Sequence, residues 1–357
     1  NAAAEARPPL ERPRDPAQAA LLLHSSGTTG LPKVVVRSGA SLDLVAGAMA
    51  ESVGLRPDDR VLSCVPLCHS YGVEHGLLAP LWAGSEVRLC QGFDLPTVEA
   101  ELAGGATVFP GVPFVYETLA RHAAGRRFPA LRRAYSAGGP LPAAVRAACA
   151  EHLGLVVSQL YGATEIGSVT YAPPESDGFD AGSVGRPMRG VDVRVLPLDA
   201  TDASVTLPPA EEGQVAIRSA YRFDGYLDGS AGPLTPDGFF LTGDVGRVDA
   251  HGNLSLSGRL KLLIDVAGLK VNPLEVEAAL VAHPAVAECV VVAVALTETV
   301  SRLKAVVVRT AGATATGEEL RQFLRALLAP YKVPRVYEFR DDLPRSAAGK
   351  VMRQRVS

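Results

Sequence analysis

Ser25-Ser26-Gly27-Thr28-Thr29-Gly30-Leu31-Pro32-Lys33 is the most informative stretch of this 357-residue chain. Its two glycines allow positive φ and close backbone approach. Four hydroxyls and successive backbone N–H groups can surround anionic oxygens as a nest, and Lys33 adds a positive point charge. A plain hairpin loop is the alternative, but so dense a run of hydroxyls, glycines and a lysine favours a phosphate-binding loop. It is not a Walker A loop: GxxxxGK[ST] is absent, and residues 34–37 read as a strand rather than a helix.

Outward from this loop, residues 21–160 alternate short apolar runs with amphipathic stretches. Strands are predicted at 21–24, 34–37, 61–65, 86–89, 107–109, 133–136 and 155–160. Helices are predicted at 73–82, 96–102, 113–123 and 142–152. Another helix starts at Ser41 as its N-cap, carries Leu42, Val45 and Met49 at i, i+3 and i+7, and ends at Gly54. Repeated strand–helix units imply a mainly parallel sheet covered by helices. After Tyr161 the pattern becomes short strands at 191–196, 213–218, 239–248 and 254–257, the last two joined by the turn Asp249-Ala250-His251-Gly252-Asn253. Beyond 258–261 lies a small α+β module. Its helices are predicted at 273–282 and 317–328, its strands at 286–295, 305–309 and 336–339, and a polar tail at 343–357.

The fold class is therefore α/β: a large domain with a mainly parallel helix-covered sheet and a β-rich subdomain, then a small α+β C-terminal domain. The boundaries read as a mobile arm at 1–19, the large domain at 20–257 (β-rich from about 183), a hinge at 258–261, and the small domain at 262–357.

Lys plus Arg number 35 against 38 Asp plus Glu, a net charge of -3 with no basic block, which argues against a nucleic-acid binder. The longest apolar run, residues 289–296, is far shorter than the ~18–20 residues of a membrane span. Cys64, Cys68, Cys90, Cys149 and Cys289 are odd in number and form no CxxC pair. They read as buried reduced thiols in a cytoplasmic protein. Cys64, Cys68 and His69 lack the second ligand pair a zinc site needs. The start of the chain has no apolar signal region and reads as an arm.

Six further motifs follow the loop: Pro66-Leu67-Cys68-His69, Ser136-Ala137-Gly138-Gly139-Pro140-Leu141, Tyr161-Gly162-Ala163-Thr164-Glu165, Thr242-Gly243-Asp244, Gly258-Arg259-Leu260-Lys261 and Leu343-Pro344-Arg345-Ser346-Ala347-Ala348-Gly349-Lys350. In this order they resemble the adenylate-forming superfamily, which includes acyl- and aryl-CoA ligases, peptide-synthetase adenylation domains and luciferases. The resemblance runs over nearly the whole chain from Ala20 onward.

The resemblance implies ATP-dependent activation of a carboxylic acid. Both reactants are anionic, so the site must supply positive charge and orientation. Ser25, Ser26, Gly27, Thr28, Thr29, Gly30 and Lys33 would hold phosphates. Glu165 resembles the family's magnesium ligand, although a lone Glu after a Thr is ordinarily a surface residue. Thr164 would bind the α-phosphate, and Tyr161, beside Gly162, would stack on adenine. Gly138, Gly139 and Pro140 would shape the pocket through the backbone. Asp244 resembles the ribose-binding aspartate, assisted by Arg259, and Lys261 matches the hinge. Lys350 resembles the lysine that bridges carboxylate and α-phosphate during adenylation. His69 falls beside the acyl pocket, with a core histidine as the plain alternative. Phe109, Val112, Phe114 and Tyr116 read as lining of an apolar acyl pocket, with plain core as the alternative for each.

The implied cofactors are ATP/AMP, Mg2+ and coenzyme A, with Gly268 as the glycine that lets pantetheine pass or an ordinary turn. The phosphopantetheine arm of an acyl carrier protein is the alternative acceptor, and a non-catalytic nucleotide-binding relative is the alternative class. No acid follows His69 directly to pair with a substrate ammonium, which disfavours an amino acid. Glu74 would serve only in a different register. Val34 stands where a glycine is common, and Asp265 where many CoA ligases carry lysine. Only about 24 residues precede Ser25, whereas usual members carry a substantial subdomain there. The expectation is a compact member or a fragment, with homodimerisation as one way to cover the exposed face.

Overall fold

A computed structural model describes residues 15, 17–25, 33–266, 269–295, 301–345 and 351–356. The expectations for Ser26, Gly27, Thr28, Thr29, Gly30, Gly268 and Lys350, and for most of the N-terminal arm, lie outside these residues. Contacts divide the chain into one unit of residues 1–211, 215–242 and 248–255 and a second of 212–214, 243–247 and 256–357.

The chain opens with β1 (Ala19–His24) and β2 (Val34–Ser38), an antiparallel pair flanking the phosphate-type loop. In β2, Val35 and Arg37 point to the buried side, as the two-residue period of a strand requires. Helix α1 (Gly39–Val53) follows, ended by Gly54 in the left-handed conformation. Its N-cap is Ser38, not Ser41: the Ser38 side chain accepts the Ser41 N–H, while the Ser41 hydroxyl is drawn into a buried network.

Next come β3 (Arg60–Ser63), α2 (Ser70–Val73), a π-helical turn (Glu74–Leu78), α3 (Ala79–Ala83), β4 (Glu86–Leu89), α4 (Leu95–Ala103), β5 (Val108–Gly111), α5 (Pro113–His122), β6 (Arg133–Ser136), α6 (Ala143–Ala148) and β7 (Val157–Ala163). β8 (Gly167–Tyr171) and β9 (Arg186–Pro187) complete a seven-stranded sheet of order β4-β3-β5-β6-β7-β8-β9. The pairings among the first five strands are parallel, and the two that add β8 and β9 are antiparallel. Strand β5 is buried on both faces, as a helix-covered parallel sheet demands. Its core runs through Leu62, Val98, Leu102, Leu119 and Leu153. Phe109 and Tyr116 belong to that core: both are fully buried, and the Tyr116 hydroxyl donates to Phe109 O at 2.7 Å. Their acyl-pocket reading is corrected accordingly.

Strands β10 (Val191–Leu196), β11 (Gly213–Ser219), β13 (Phe240–Val248) and β14 (Leu254–Arg259) form a four-stranded sheet in that order, while β12 (Gly225–Tyr226) pairs with β2. The predicted turn after β13 is built on Asp249, whose carboxylate accepts the His251 and Asn253 N–H groups.

In the second unit, β15 (Ile264–Val266) and β16 (Leu269–Val271) pair antiparallel. Helix α7 (Pro273–Val281), the antiparallel strands β17 (Val286–Ala295) and β18 (Ser301–Arg309), helix α8 (Gly317–Arg325) and β19 (Val336–Arg340), parallel to β18, complete it. Val276, Leu280, Val291, Val307, Leu320 and Leu324 form its core. The segment read as a polar tail is anchored: Leu343 and Val356 are buried against Val290, Val292 and Val306. Among the described residues no helix is long and apolar enough to cross a membrane.

Candidate active site

The base of the phosphate-type loop is closed by the Ser25 N–H, which donates to Lys33 O at 2.8 Å. Lys33 is exposed, and its ammonium lies 4.3 Å from the centroid of the Tyr226 ring. The Tyr226 hydroxyl in turn donates to Glu165 Oε1 at 3.0 Å. Two groups chosen from the sequence, Lys33 and Glu165, thus meet through a tyrosine that sequence reasoning missed. Burial and the Glu165 carboxylate push the Tyr226 phenol well above its ordinary range, so it stays a donor. The segment carrying Tyr226 is tied back to β2 by the Asp224 carboxylate, which accepts the Ser38 N–H at 2.6 Å.

Thr164 and Glu165 sit in the turn between β7 and β8. Gly162 is required there, because a Cβ at that position would lie 2.5 Å from Gly167 O. The turn is held from beneath by Arg37, which is completely buried. Arg37 Nη1 donates to Thr164 O (3.3 Å) and to Glu74 Oε1 (3.0 Å), Nη2 to Tyr221 O (3.1 Å), and Nε to Ser41 Oγ (3.1 Å). Glu74 Oε2 accepts the Ser168 N–H and hydroxyl. Because the Ser168 hydrogen is spent on Glu74, its oxygen accepts from His75 Nε2 at 2.7 Å, and His75 Nδ1 accepts from the Tyr135 hydroxyl at 3.2 Å. His75 is therefore the neutral Nε2–H tautomer. Burial pushes its pKa down to about 3, in agreement. Arg37 carried a sequence signal: a lone charge on the inward face of Val34-Val35-Val36-Arg37. Glu74 is committed to this ion pair and is no partner for a substrate ammonium.

The remaining unit-one candidates leave the sheet on a single rim. His69 follows β3, Val112 follows β5, Gly138, Gly139 and Pro140 follow β6, and Tyr161 lies near the end of β7. In an α/β sheet the carboxyl ends of parallel strands are where ligands bind. Gly138 adopts φ +83° there, and Gly138, Gly139 and Pro140 are exposed. His69 is exposed at the N-cap of α2, so the core-histidine reading does not hold. Tyr161 is buried, and Phe114 is exposed, edge-on to Phe93. Among the thiols, burial pushes Cys64 and Cys149 up to about 11, while Cys68, expected to be buried, is exposed.

In the second unit Asp244 is buried and Arg259 Nε lies 2.7 Å from its Oδ1, so the two ribose candidates are in direct contact. Lys261 is exposed on a 3-10 turn, Leu260–Leu262. Asp265 pairs across its hairpin with Lys270 at 2.9 Å. The described residues on either side of 346–350 are joined by a bridge between Arg345 and Val351. Arg345 pairs with Glu288, and Arg353 makes a two-pronged contact with Glu277 at 2.5 Å.

Glu165 offers oxygen donors to a hard cation, and among the described residues no cluster of three His, Cys, Asp or Glu could cage one. A lone half-buried carboxylate fits magnesium, which takes its other ligands from phosphates and water.

A helix-covered, mainly parallel sheet, a phosphate-type loop between the strands of a separate antiparallel sheet, a carboxylate reached from that loop through Tyr226, and a small C-terminal unit fit an AMP-binding enzyme, and the chain belongs to that family. The AMP-binding enzyme family model matches residues 1–227, and that of the AMP-binding enzyme C-terminal domain matches 275–350. The chain is 32% identical to the probable CoA ligase CCL8 of Humulus lupulus, over 93% of this chain and 60% of that protein. It superposes on ATP-bound MatB from Rhodopseudomonas palustris with a TM-score of 0.86 at 30% identity, covering 96% of this chain and 68% of that one. The o-succinylbenzoate coenzyme A synthetase MenE from Bacillus subtilis, in complex with ATP and magnesium ion, gives 0.83 at 28% identity, over 95% and 70%. The chain spans about three fifths of the length of the first two curated relatives it matches.

Proposed function

We propose that this protein activates a small carboxylic acid with ATP to acyl-AMP, releasing pyrophosphate, and passes the acyl group to the thiol of coenzyme A, releasing AMP. The observation that carries this reading is the meeting of Lys33 and Glu165 at the mouth of the loop, in a chain of the AMP-binding family. Lys33 and the loop N–H groups hold phosphates, and Glu165 holds magnesium, which supplies charge neutralisation for the attack on the α-phosphorus. Thr164 positions the α-phosphate, Tyr161 receives the adenine, and Gly138, Gly139 and Pro140 shape the rim. Asp244 and Arg259 hold the ribose hydroxyls, and Lys261 is the hinge. Lys350 bridges the acid and the α-phosphate, Gly268 passes the pantetheine, and His69 faces the acyl group. The commitment of Glu74 to Arg37 supports an acid without an α-ammonium group. The relatives named above, a CoA ligase and a coenzyme A synthetase, favour coenzyme A as acceptor. Five free cysteines support a cytoplasmic location.

The test is pyrophosphate release with ATP, magnesium and a panel of carboxylic acids, with and without coenzyme A. Release with one acid, turning over steadily only with coenzyme A, supports the reading. A single burst indifferent to coenzyme A moves the acceptor to a carrier protein. No release with any acid, from folded chain that binds ATP, overturns it.

A further inference from the structure

We infer that Tyr226 is a positioning residue for the Glu165 carboxylate, fixing one of its oxygens so that the other is presented to the metal·nucleotide. This rests on the reading of Glu165 as the magnesium ligand. The hydroxyl reaches Glu165 Oε1 at 3.0 Å, and among the described residues Oε2 accepts no hydrogen bond. A carboxylate on a flexible stem loses rotamer freedom when it binds a cation, and a donor that has already fixed it removes that cost. The tyrosine is itself fixed. Its N–H donates to Ser230 O at 3.0 Å and its carbonyl accepts from the Gly229 N–H at 2.9 Å. The Phe223 ring meets it edge-on at 5.0 Å, and the Phe223 N–H donates to Glu165 O at 2.7 Å. The same short segment therefore grips Glu165 at both backbone and side chain. The ring face meanwhile receives the Lys33 ammonium, so hydroxyl and ring do separable jobs.

Tyr226→Phe separates them, since it removes the hydroxyl and keeps the ring for Lys33 and Phe223. ATP binding is measured without any acid, once with Mn2+ and once in EDTA, for the parent chain, Y226F, E165Q and the double variant; thermal melting checks each fold. Y226F should weaken Mn2+·ATP binding about tenfold and leave binding in EDTA within about twofold, in keeping with loss of a hydrogen bond to a charged group. In the E165Q background Y226F should add less than about twofold, a comparison that stays readable if Y226F alone melts early. In turnover, half-saturation by Mg2+ should rise about tenfold with the KM for the acid unchanged. Unaltered Mn2+·ATP binding, an equal loss in EDTA, or a tenfold loss that persists beside E165Q would overturn the assignment. So would a parent chain that binds ATP no better with Mn2+ than in EDTA. Absent pyrophosphate release alongside the expected binding pattern would overturn the ligase reading and support the role of Tyr226.

Discussion

At the scale of single residues, two groups lend themselves to direct measurement. His75 is neutral in the fold, with its pKa pushed down to about 3 by burial, against an ordinary 6.5. Its contribution to stability is fully present above pH 6.5 and is lost as pH falls from there toward 3, because only the unfolded chain takes up the proton. The expected slope is about 1.4 kcal/mol per pH unit. Urea unfolding at pH 7, 6 and 5 should show it, and His75→Gln should flatten the dependence by one proton. The second residue, Lys350, is assigned from its motif. Lys350→Ala should cut pyrophosphate release roughly a hundredfold or more while ATP affinity stays within about twofold; near-normal acyl-AMP formation would remove it from the proposed mechanism. Lys350 and Tyr226 differ in how legible they are in the sequence. Lys350 is proposed from a motif that is local in the sequence. Tyr226 is not so legible, because it stands 61 positions from Glu165 in a turn-rich stretch where an aromatic has many ordinary uses.

At the scale of elements, the strand after the loop, the π-helical turn and the β7–β8 turn are joined by Arg37 and Glu74 rather than by apolar packing alone. Breaking this buried pair on one side leaves a charge without its partner. Arg37→Met or Glu74→Met alone should cost about 3–5 kcal/mol, whereas the double substitution should recover much of that loss. Chemical denaturation of the three variants measures it, and additive losses would mean that the pair is not coupled. Element types were largely legible from periodicity: β10 falls at 191–196 as read. Ends were less so. The helix start slipped from Ser41 to Ser38 because both are good caps, and the choice was made by Arg37, which draws the Ser41 hydroxyl inward. The closing segment looked polar because Leu343 and Val356, its apolar anchors, are thirteen residues apart with arginines between them.

At the scale of the molecule, each unit carries its own core, so damage to one should register there. Val356 is fully buried in the second unit, and Val356→Ala should cost about 2 kcal/mol. The single tryptophan, Trp82, lies in α3 of the first unit and reports its unfolding. The substitution should lower amide protection along β17 and β18 while leaving the Trp82 transition in place; an equal shift of both would show one cooperative block. The buried pair of Arg37 and Glu74 also bears on descent. Either member alone is a liability, so a lineage without the pair could acquire it only through an unfavourable intermediate or a simultaneous double change. Once installed, it works as a ratchet: random drift at one position is held in check by the other, and the two should be inherited, or lost, together.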